Sequence, residues 1–221
     1  MMFEDLANPS RRLLEPMERI TEVLFALIMV LTFTCSFSLA GAGREEVRAM
    51  LIGALGCNLA WGIIDAVFYL MGTFSGLGRR ILRLKALRQA ADSAEAYRII
   101  ADALPPALVS VLSSSDLEGM REKLNRLADV PPQPRLGKDD WLGAIGVFLI
   151  VVLATLPVVA PFALIANARR ALRVSNGIAV VMLFLTGYAF GRHAGLRPVR
   201  AGLSMVMLGA AMVGITILLG G

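Results

Sequence analysis

An amide and a carboxylate stand seven residues apart in an otherwise apolar stretch, GCNLAWGIIDAVFYLMG (residues 56–72). Seven residues make two helical turns, so Asn58 and Asp65 would share one helix face about 10 Å apart along the axis, with Tyr69 one turn further. An ionisable side chain inside a membrane-spanning helix is costly and is by default a functional-site candidate. The alternatives for Asp65 are a role in stabilising a dimer and an incidental buried acid.

The first apolar stretch carries a similar stripe, in which Glu22, Met29 and Ser36 repeat every seven residues. Carboxylate oxygens bind hard and borderline divalent cations, and a thioether adds a preference for softer ones. Protonatable carboxylates inside a membrane also serve proton relays. An interfacial charge beside Arg19 is the alternative interpretation of Glu22. Five residues are the candidates for an ion pathway: Glu22, Met29, Asn58, Asp65 and Tyr69.

These side chains need a membrane-spanning framework, and the composition supplies one. Of the 221 residues 57% are hydrophobic and 18% are charged, whereas soluble domains carry about 25% charged residues. A span needs about 20 mainly apolar residues, and such runs cross lipid as helices because their backbone groups are then paired internally. The sequence therefore predicts an all-α membrane protein with five transmembrane helices. The five apolar runs lie at about 20–42, 49–74, 142–166, 174–191 and 201–219.

A polar insert separates the second and third spans. We expect a cytoplasmic N-terminal segment at 1–19, the first two transmembrane helices at 20–74, a cytoplasmic helical insert at 75–140 and transmembrane helices three to five at 141–221. The two cytoplasmic segments and residues 192–200 together hold 17 of the 22 Lys and Arg residues. By the positive-inside rule the N-terminus is then cytoplasmic and the C-terminus lies on the opposite side. In a prokaryote the membrane would be the cell membrane.

The charge and cysteine content exclude several other classes of protein. Basic ends of membrane helices explain the net charge of +5, so no nucleic-acid partner is required beside the lipid bilayer. With Cys35 and Cys57 inside predicted spans and His193 in a short turn, a zinc site of the usual type cannot be built within one chain. The sequence shows no nucleophile–base pair, phosphate-binding loop or metal-hydrolase spacing. We expect neither an enzyme nor a permanently bound cofactor.

The insert is predicted to be helical. Residues 79–104 have the composition of one helix, which Pro105 and Pro106 would end. The spacing Ser115-x-x-Glu118 is typical of a capping box that opens a second helix. The apolar stripe of this second helix consists of Leu117, Met120, Leu124 and Leu127.

Acidic residues of the insert are a second possible metal site. The insert has 9 acidic against 11 basic residues, whereas a cation store is expected to be net acidic. Arg121 and Lys123 flank its last acidic group, so a solvated amphipathic face is the favoured interpretation. The candidate metal ligands of the insert are Asp92, Glu95, Asp102, Glu118, Met120 and Glu122.

Small residues recur in the second and fifth spans, where they allow helices to approach closely. We expect these positions to mark helix–helix contacts. They include Gly53, Gly56, Gly62, Gly202, Gly209, Ala210 and Gly214.

The order of these elements and the local sequence resemble the vacuolar iron transporter family. NLAWGIIDAVFYLMG is similar to the family's second span, LATLPVVAPFAL to its third, and GRHAGLRPVRAGLSMVMLGAAMVGITILLG to its last hairpin. The resemblance covers roughly residues 18–220. It implies a homodimer that exports ferrous iron, and sometimes manganese, from the cytosol in exchange for protons, along a path between protomers. Fe²⁺ or Mn²⁺ would then be substrate, with Asp65 the principal intramembrane acid and Glu22 a second one nearer the cytoplasm.

Several positions depart from the family's pattern. Glu22 matches the family's first-span acid, which is usually an aspartate followed by glycine, but Val23 follows it here. Tyr69 and Thr73 stand where the family's second span has a methionine and an acid, and the basic insert replaces a glutamate-rich one. These departures favour an alternative, a non-transporting membrane scaffold or regulatory protein of the same fold. The acids retained on the first two spans favour transport.

Overall fold

The computed structural model describes residues 16–36, 44–126 and 132–218, and these residues form eight helices and no strand. In chain order the helices are α1 (Pro16–Ser36), α2 (Arg44–Gln89), α3 (Ser93–Ala101), α4 (Pro106–Val109), α5 (Ser114–Asn125), α6 (Lys138–Leu164), α7 (Ala168–His193) and α8 (Pro198–Leu218).

Four of these helices, α2, α6, α7 and α8, are long and apolar enough to cross a membrane by length and composition. In α1 the apolar part with described side chains, Ile20–Thr32, is shorter. Residues 37–42, where the first predicted span ends, lie outside the described residues. The all-α membrane protein predicted from the sequence is confirmed.

Helix α2 contains both the second predicted span and the beginning of the insert. It ends at Gln89, whereas the composition of residues 79–104 predicted one continuous helix. The Asp92 side chain explains the break, because it accepts a hydrogen bond from the Glu95 backbone N–H at 2.7 Å and so starts a new helix, α3. An aspartate competes for backbone N–H groups and therefore favours a cap over a helix interior.

The described chain divides into two compact units, and the boundary falls within α2. One unit contains the residues up to Tyr69 and those from Lys138 onward, and the other contains Leu70–Gly137. In the first unit α1 packs against α6, α7 and α8. The core cluster of this unit consists of Leu27, Val30, Leu31, Val158, Val159, Ala179 and Leu183.

Helices α7 and α8 form a hairpin in which glycines allow close approach. A Cβ atom on Gly187 would lie 2.8 Å from the Ala201 carbonyl oxygen, and one on Gly202 would lie 2.9 Å from the Phe184 carbonyl oxygen. Gly195, with a φ of 69°, occupies the turn between the two helices. The predicted role of small residues is therefore confirmed at Gly202.

Not all the predicted small positions serve this purpose. Gly62 and Gly209 also have close neighbours, whereas a Cβ on Gly53, Gly56 or Gly214 would meet nothing within 4 Å among the described residues. Among the described residues, Gly53, Gly56 and Gly214 therefore mark no close contact with another helix of the chain.

The second unit has a small core of its own, in which α3 packs against α5. Leu87, Ala96 and Ile100 are buried there. The predicted stripe of α5 is confirmed for Leu117, Met120 and Leu124, which pack against these three residues, while Leu127 lies outside the described residues.

The capping box of α5 is displaced from its predicted position. Ser113 is the N-cap, and its hydroxyl accepts a hydrogen bond from the Asp116 backbone N–H at 3.3 Å. The Asp116 carboxylate in turn accepts one from the Ser113 backbone N–H at 2.9 Å. Hydrogen bonds from Ser113 lower the pKa of Asp116. The prediction of Ser115 with Glu118 is wrong because Glu118 is committed to other partners.

Candidate ion pathway

Asn58 is fully buried between α2 and α6. Its Nδ2 donates to Thr155 Oγ1 at 2.8 Å and to the Val151 carbonyl oxygen at 3.3 Å. The Thr155 hydroxyl donates in turn to the Val152 carbonyl oxygen at 2.9 Å. The Asn58 Oδ1 atom is buried and has no hydrogen-bond partner among the described residues. A buried, unpaired amide oxygen is costly, and it is an available ligand for a cation or a water molecule.

Asp65 lies two turns beyond Asn58 along α2, on the side of the helix that faces α6. Gly62 and Tyr69 establish this direction, because a Cβ on Gly62 would lie 3.2 Å from Phe148 Cδ2, and one on Gly143 would lie 2.6 Å from Tyr69 Cζ. Asp65 is partly buried, and its Oδ2 atom is buried without a hydrogen-bond partner in the described part of the chain. The predicted common face of Asn58, Asp65 and Tyr69 is therefore directed towards α6 of the same chain.

The neighbouring face of α2 contacts α1. The Cys57 thiol donates to Met29 Sδ at 3.7 Å, and the Phe25 and Trp61 rings stack with their centroids 6.2 Å apart. Cys57 precedes Asn58 by one residue and so points about 100° away from it around the helix. Met29 therefore approaches α2 on a different side from the one that carries Asp65.

These two contacts also give the register of α1 on α2. A step from Phe25 to Met29 along α1 corresponds to a step from Trp61 back to Cys57, so the two helices run antiparallel. Extending this register by three residues places the partly buried Glu22 level with Ile64, beside Asp65 in the sequence. The expectation that Glu22 lies nearer the cytoplasm than Asp65 is not supported, since both acids lie at a similar level along the helix pair.

Sequence reasoning missed Thr155 and underestimated Cys57. Thr155 lies two residues before Pro157 in an apolar run, and a hydroxyl in such a run was the available signal. Cys57 was considered only as a possible zinc ligand, although its i, i+1 relation to Asn58 puts a thiol next to the polar face. A second hydroxyl, that of Ser175 on α7, is fully buried and donates to the Val158 carbonyl oxygen at 2.6 Å.

The first three candidate metal ligands of the insert, Asp92, Glu95 and Asp102, each have a different role at α3. Asp92 caps α3, and the Glu95 carboxylate accepts a hydrogen bond from the Ala91 backbone N–H at 2.9 Å. Asp102 is exposed at the C-cap of the same helix. Two of the three carboxylates thus bind backbone groups.

The candidates on α5 are engaged by side chains. Glu118 Oε2 accepts a hydrogen bond from the Tyr97 hydroxyl at 2.9 Å, and this hydrogen bond raises the pKa of Tyr97. The same oxygen pairs with Arg121 at 3.4 Å. Glu122 pairs with Arg126 at 3.4 Å, and Met120 packs in the core of the unit. Among the described residues no group of three or more His, Cys, Asp or Glu side chains is placed to hold a metal ion.

We expect the insert to bind divalent metal weakly. In the full chain carrying Glu22→Gln and Asp65→Asn, which removes both candidate carboxylates of the spans, titration calorimetry with Mn²⁺ should give a dissociation constant no tighter than ~0.1 mM, weak for an oxygen-ligand site. The physical reason is that metal would have to displace Arg121 and Arg126 from their carboxylates. Micromolar binding that disappears with Glu118→Ala and Glu122→Ala would contradict this expectation.

The fold and the polar face of α2, formed by Asn58, Asp65 and Tyr69, together define a multi-pass, all-helical membrane protein with acids inside its spans. The sequence model of the VIT family matches residues 88–221, which is more than half of the chain. The chain therefore belongs to the VIT family, the vacuolar iron transporters. A search of curated proteins finds no significant match.

Family membership indicates the general role, which is metal ion transport. The matched residues contain the last three spans and most of the insert, and they begin after the candidate ion-pathway residues of α1 and α2. The assignment of the ion pathway therefore depends on the geometry of α1, α2 and α6.

Proposed function

We propose that this protein transports divalent metal cations, ferrous iron or manganese, out of the cytosol in exchange for protons. The observation that carries the proposal is Asp65, a carboxylate within a membrane-spanning helix, one of whose oxygens is buried and has no hydrogen-bond partner among the described residues. Intramembrane acids of this kind mark ion paths and proton relays. Asn58 Oδ1, which is on the same face and also lacks a partner in the described part of the chain, supplies a neutral oxygen two turns away.

The donor set supports a divalent transition metal as substrate. Carboxylate and amide oxygens suit Mn²⁺ and Fe²⁺. The Met29 and Cys57 sulfur atoms lie on the adjoining face, and such soft donors favour transition metals over Mg²⁺. No permanently bound cofactor is part of the proposal, since the metal is the cargo.

Proton exchange follows from the chemistry of the carboxylate. A metal ion binds the deprotonated form, so an arriving cation releases a proton and a returning proton releases the cation. Glu22, level with Asp65 in the register of α1 and α2, provides a second protonatable group for this exchange. Two such acids are enough for the ion pathway to be occupied by metal and by protons in turn.

We propose a homodimer as the working unit. The side of α2 turned away from Asn58 and Asp65 exposes a stripe of apolar side chains that a second copy or lipid would cover. The stripe includes Ile52, Leu59, Ile63 and Val67, which are between 47% and 62% exposed. Light scattering of the purified protein, corrected for bound detergent, tests this state.

Flux into liposomes tests the function directly. The purified chain is reconstituted in liposomes that contain a metal-quenched dye or a pH dye, and Fe²⁺ or Mn²⁺ is added outside under an imposed proton gradient. We expect metal entry and proton movement that empty liposomes do not show. Equal signals in protein-containing and empty liposomes would refute transport.

One observation favours the alternative, a non-transporting scaffold or regulatory protein. The acidic residues of the insert are engaged by caps and arginine pairs, as Glu118 is by Tyr97 and Arg121, which leaves little for gathering metal at the mouth of a pathway. Absence of flux from a folded protein would make this alternative the better account.

The proposed orientation puts the N-terminus and the insert in the cytoplasm and the C-terminus on the opposite side. In a background with Cys35→Ser and Cys57→Ser, we expect Ser115→Cys to remain unlabelled by a membrane-impermeant maleimide in intact cells and to label after lysis. Ala166→Cys, in the exposed turn between α6 and α7, is the matched control and should label in intact cells. The reverse pattern would invert the topology and with it the direction of export.

A further inference from the structure

Three arginines form a compact basic cluster near the end of α2. Arg79, Arg80 and Arg83, the arginine triad, are all exposed. Arg83 is one turn beyond Arg79 and three residues beyond Arg80, so all three guanidinium groups can lie near one another on the helix surface. Like charges at these spacings destabilise a helix unless an anion compensates them.

The neighbouring sequence supplies no such anion. Residues 66–91 contain five basic residues and no acidic one. Arg79 donates to the neutral Ser75 hydroxyl at 2.7 Å. Two ion pairs between described residues of the insert, Arg121 with Glu118 and Arg126 with Glu122, do not include the triad.

The position of the triad along α2 indicates where its counter-charge comes from. Met71 and Phe74 are 61% and 47% exposed and end the apolar part of the helix. Arg79 follows Phe74 by five residues, or about 8 Å at the rise of an α-helix. That distance spans the passage from hydrocarbon to the headgroup region, where basic clusters next to a span attract anionic lipids.

The local packing fixes the direction in which the triad points. Ile81 is buried and lies about 100–160° around the helix axis from the three arginines, so the arginines project from the side of α2 away from it. Leu82 is 66% exposed beside the triad. An exposed leucine next to exposed arginines has the chemistry of an interfacial surface, with apolar contact to acyl chains and charge at the phosphates.

We propose that the arginine triad is a binding site for the phosphate groups of anionic phospholipids, which anchors the start of the insert to the membrane surface. Guanidinium groups bind phosphate through two parallel hydrogen bonds and are preferred to lysine for this purpose. The site is independent of the metal pathway and does not require that the protein transports.

Lipid-dependent thermal unfolding of the full chain tests the site. In a neutral detergent at low salt, added phosphatidylglycerol should raise the unfolding midpoint by several degrees more than phosphatidylcholine does. Replacing the triad by glutamine (Arg79→Gln, Arg80→Gln, Arg83→Gln) should remove most of this difference, and the lysine triple variant should keep the larger part of it. Because each variant is compared in two lipids, a general loss of stability does not obscure the result.

A matched control separates the site from net charge. Arg98→Gln, Lys123→Gln and Arg126→Gln remove the same charge from exposed positions of α3, α5 and the C-cap of α5, and should leave the phosphatidylglycerol effect intact. Glycerol phosphate without acyl chains should give no shift if the source is lipid, and the lipid effect should fall with added salt. An unchanged effect in the glutamine variant, an equal loss in the control, or an equal shift from glycerol phosphate would each overturn the proposal.

Discussion

Replacing Asp65 with asparagine should abolish metal-driven proton movement and leave a folded protein. The substitution keeps the size and shape of the side chain and removes its charge and its titration. Loss of an outer partner of a metal site already costs about 10–100-fold in affinity or activity, so loss of the ligand itself should reduce flux by at least about 100-fold, to the background of empty liposomes. Flux of Mn²⁺ and the pH-dye signal are measured on the same vesicle preparation.

Two control variants define what this result means. Asp65→Glu retains a carboxylate and should keep part of the activity, whereas Asp139→Asn removes an acid from the first turn of α6 and should have little effect. Equal thermal unfolding of wild type and Asp65→Asn shows that the fold is retained. If Asp65→Asn transports as well as the wild type, Asp65 is structural and the proposed ion pathway is wrong.

The spans could be predicted from the sequence because the bilayer imposes one strong constraint. A run of about 20 apolar residues has to pair its backbone groups internally, and a helix does this regardless of its neighbours. The predicted run at 142–166 accordingly lies within Lys138–Leu164 except for its last two residues. Helix ends depend on local competition and were less predictable, as Asp92 shows by dividing residues 79–104 into two helices.

The candidate site could be predicted in part. The spacing of Asn58 and Asp65 predicted a shared face, and the helix geometry supports it. Spacing alone does not say which neighbour that face meets, because the rotation of a span about its axis is set by packing with other helices. The contacts of Asn58 with Thr155 and of Gly62 with Phe148 set this rotation, and both involve residues more than 80 positions apart in the chain.

The insert shows why a local motif can be assigned to the wrong residues. Residues 113–115 are three consecutive serines, and each could cap a helix. Ser113 takes the role because the Asp116 carboxylate accepts a hydrogen bond from its backbone N–H, while Glu118 accepts one from Tyr97 of a different helix. The contact between Glu118 and Tyr97 belongs to tertiary structure, and no pattern within α5 alone predicts it.

The second large effect concerns the hairpin of α7 and α8, where Gly187→Ala should destabilise the protein. Alanine in place of glycine in a helix interior normally stabilises the helix by about 1 kcal/mol. Here the new Cβ would lie 2.8 Å from both the Ala201 carbonyl oxygen and the Met205 Cβ. Overpacking typically costs about 1–3 kcal/mol, and the cost should be near the upper end because a backbone carbonyl cannot rotate away. The net loss should be about 2 kcal/mol.

Gly177→Ala on the same helix is the matched control for this prediction. A Cβ there would meet nothing within 4 Å among the described residues, so the gain in helix propensity has no opposing contact. For a chain of this size we expect the unfolding midpoint to fall by about 5 °C in Gly187→Ala and to stay level or rise slightly in Gly177→Ala. Thermal unfolding of both variants in one detergent decides the matter. Equal midpoints would mean that α7 and α8 are not in close contact at Gly187, and the packing of the hairpin would have to be revised.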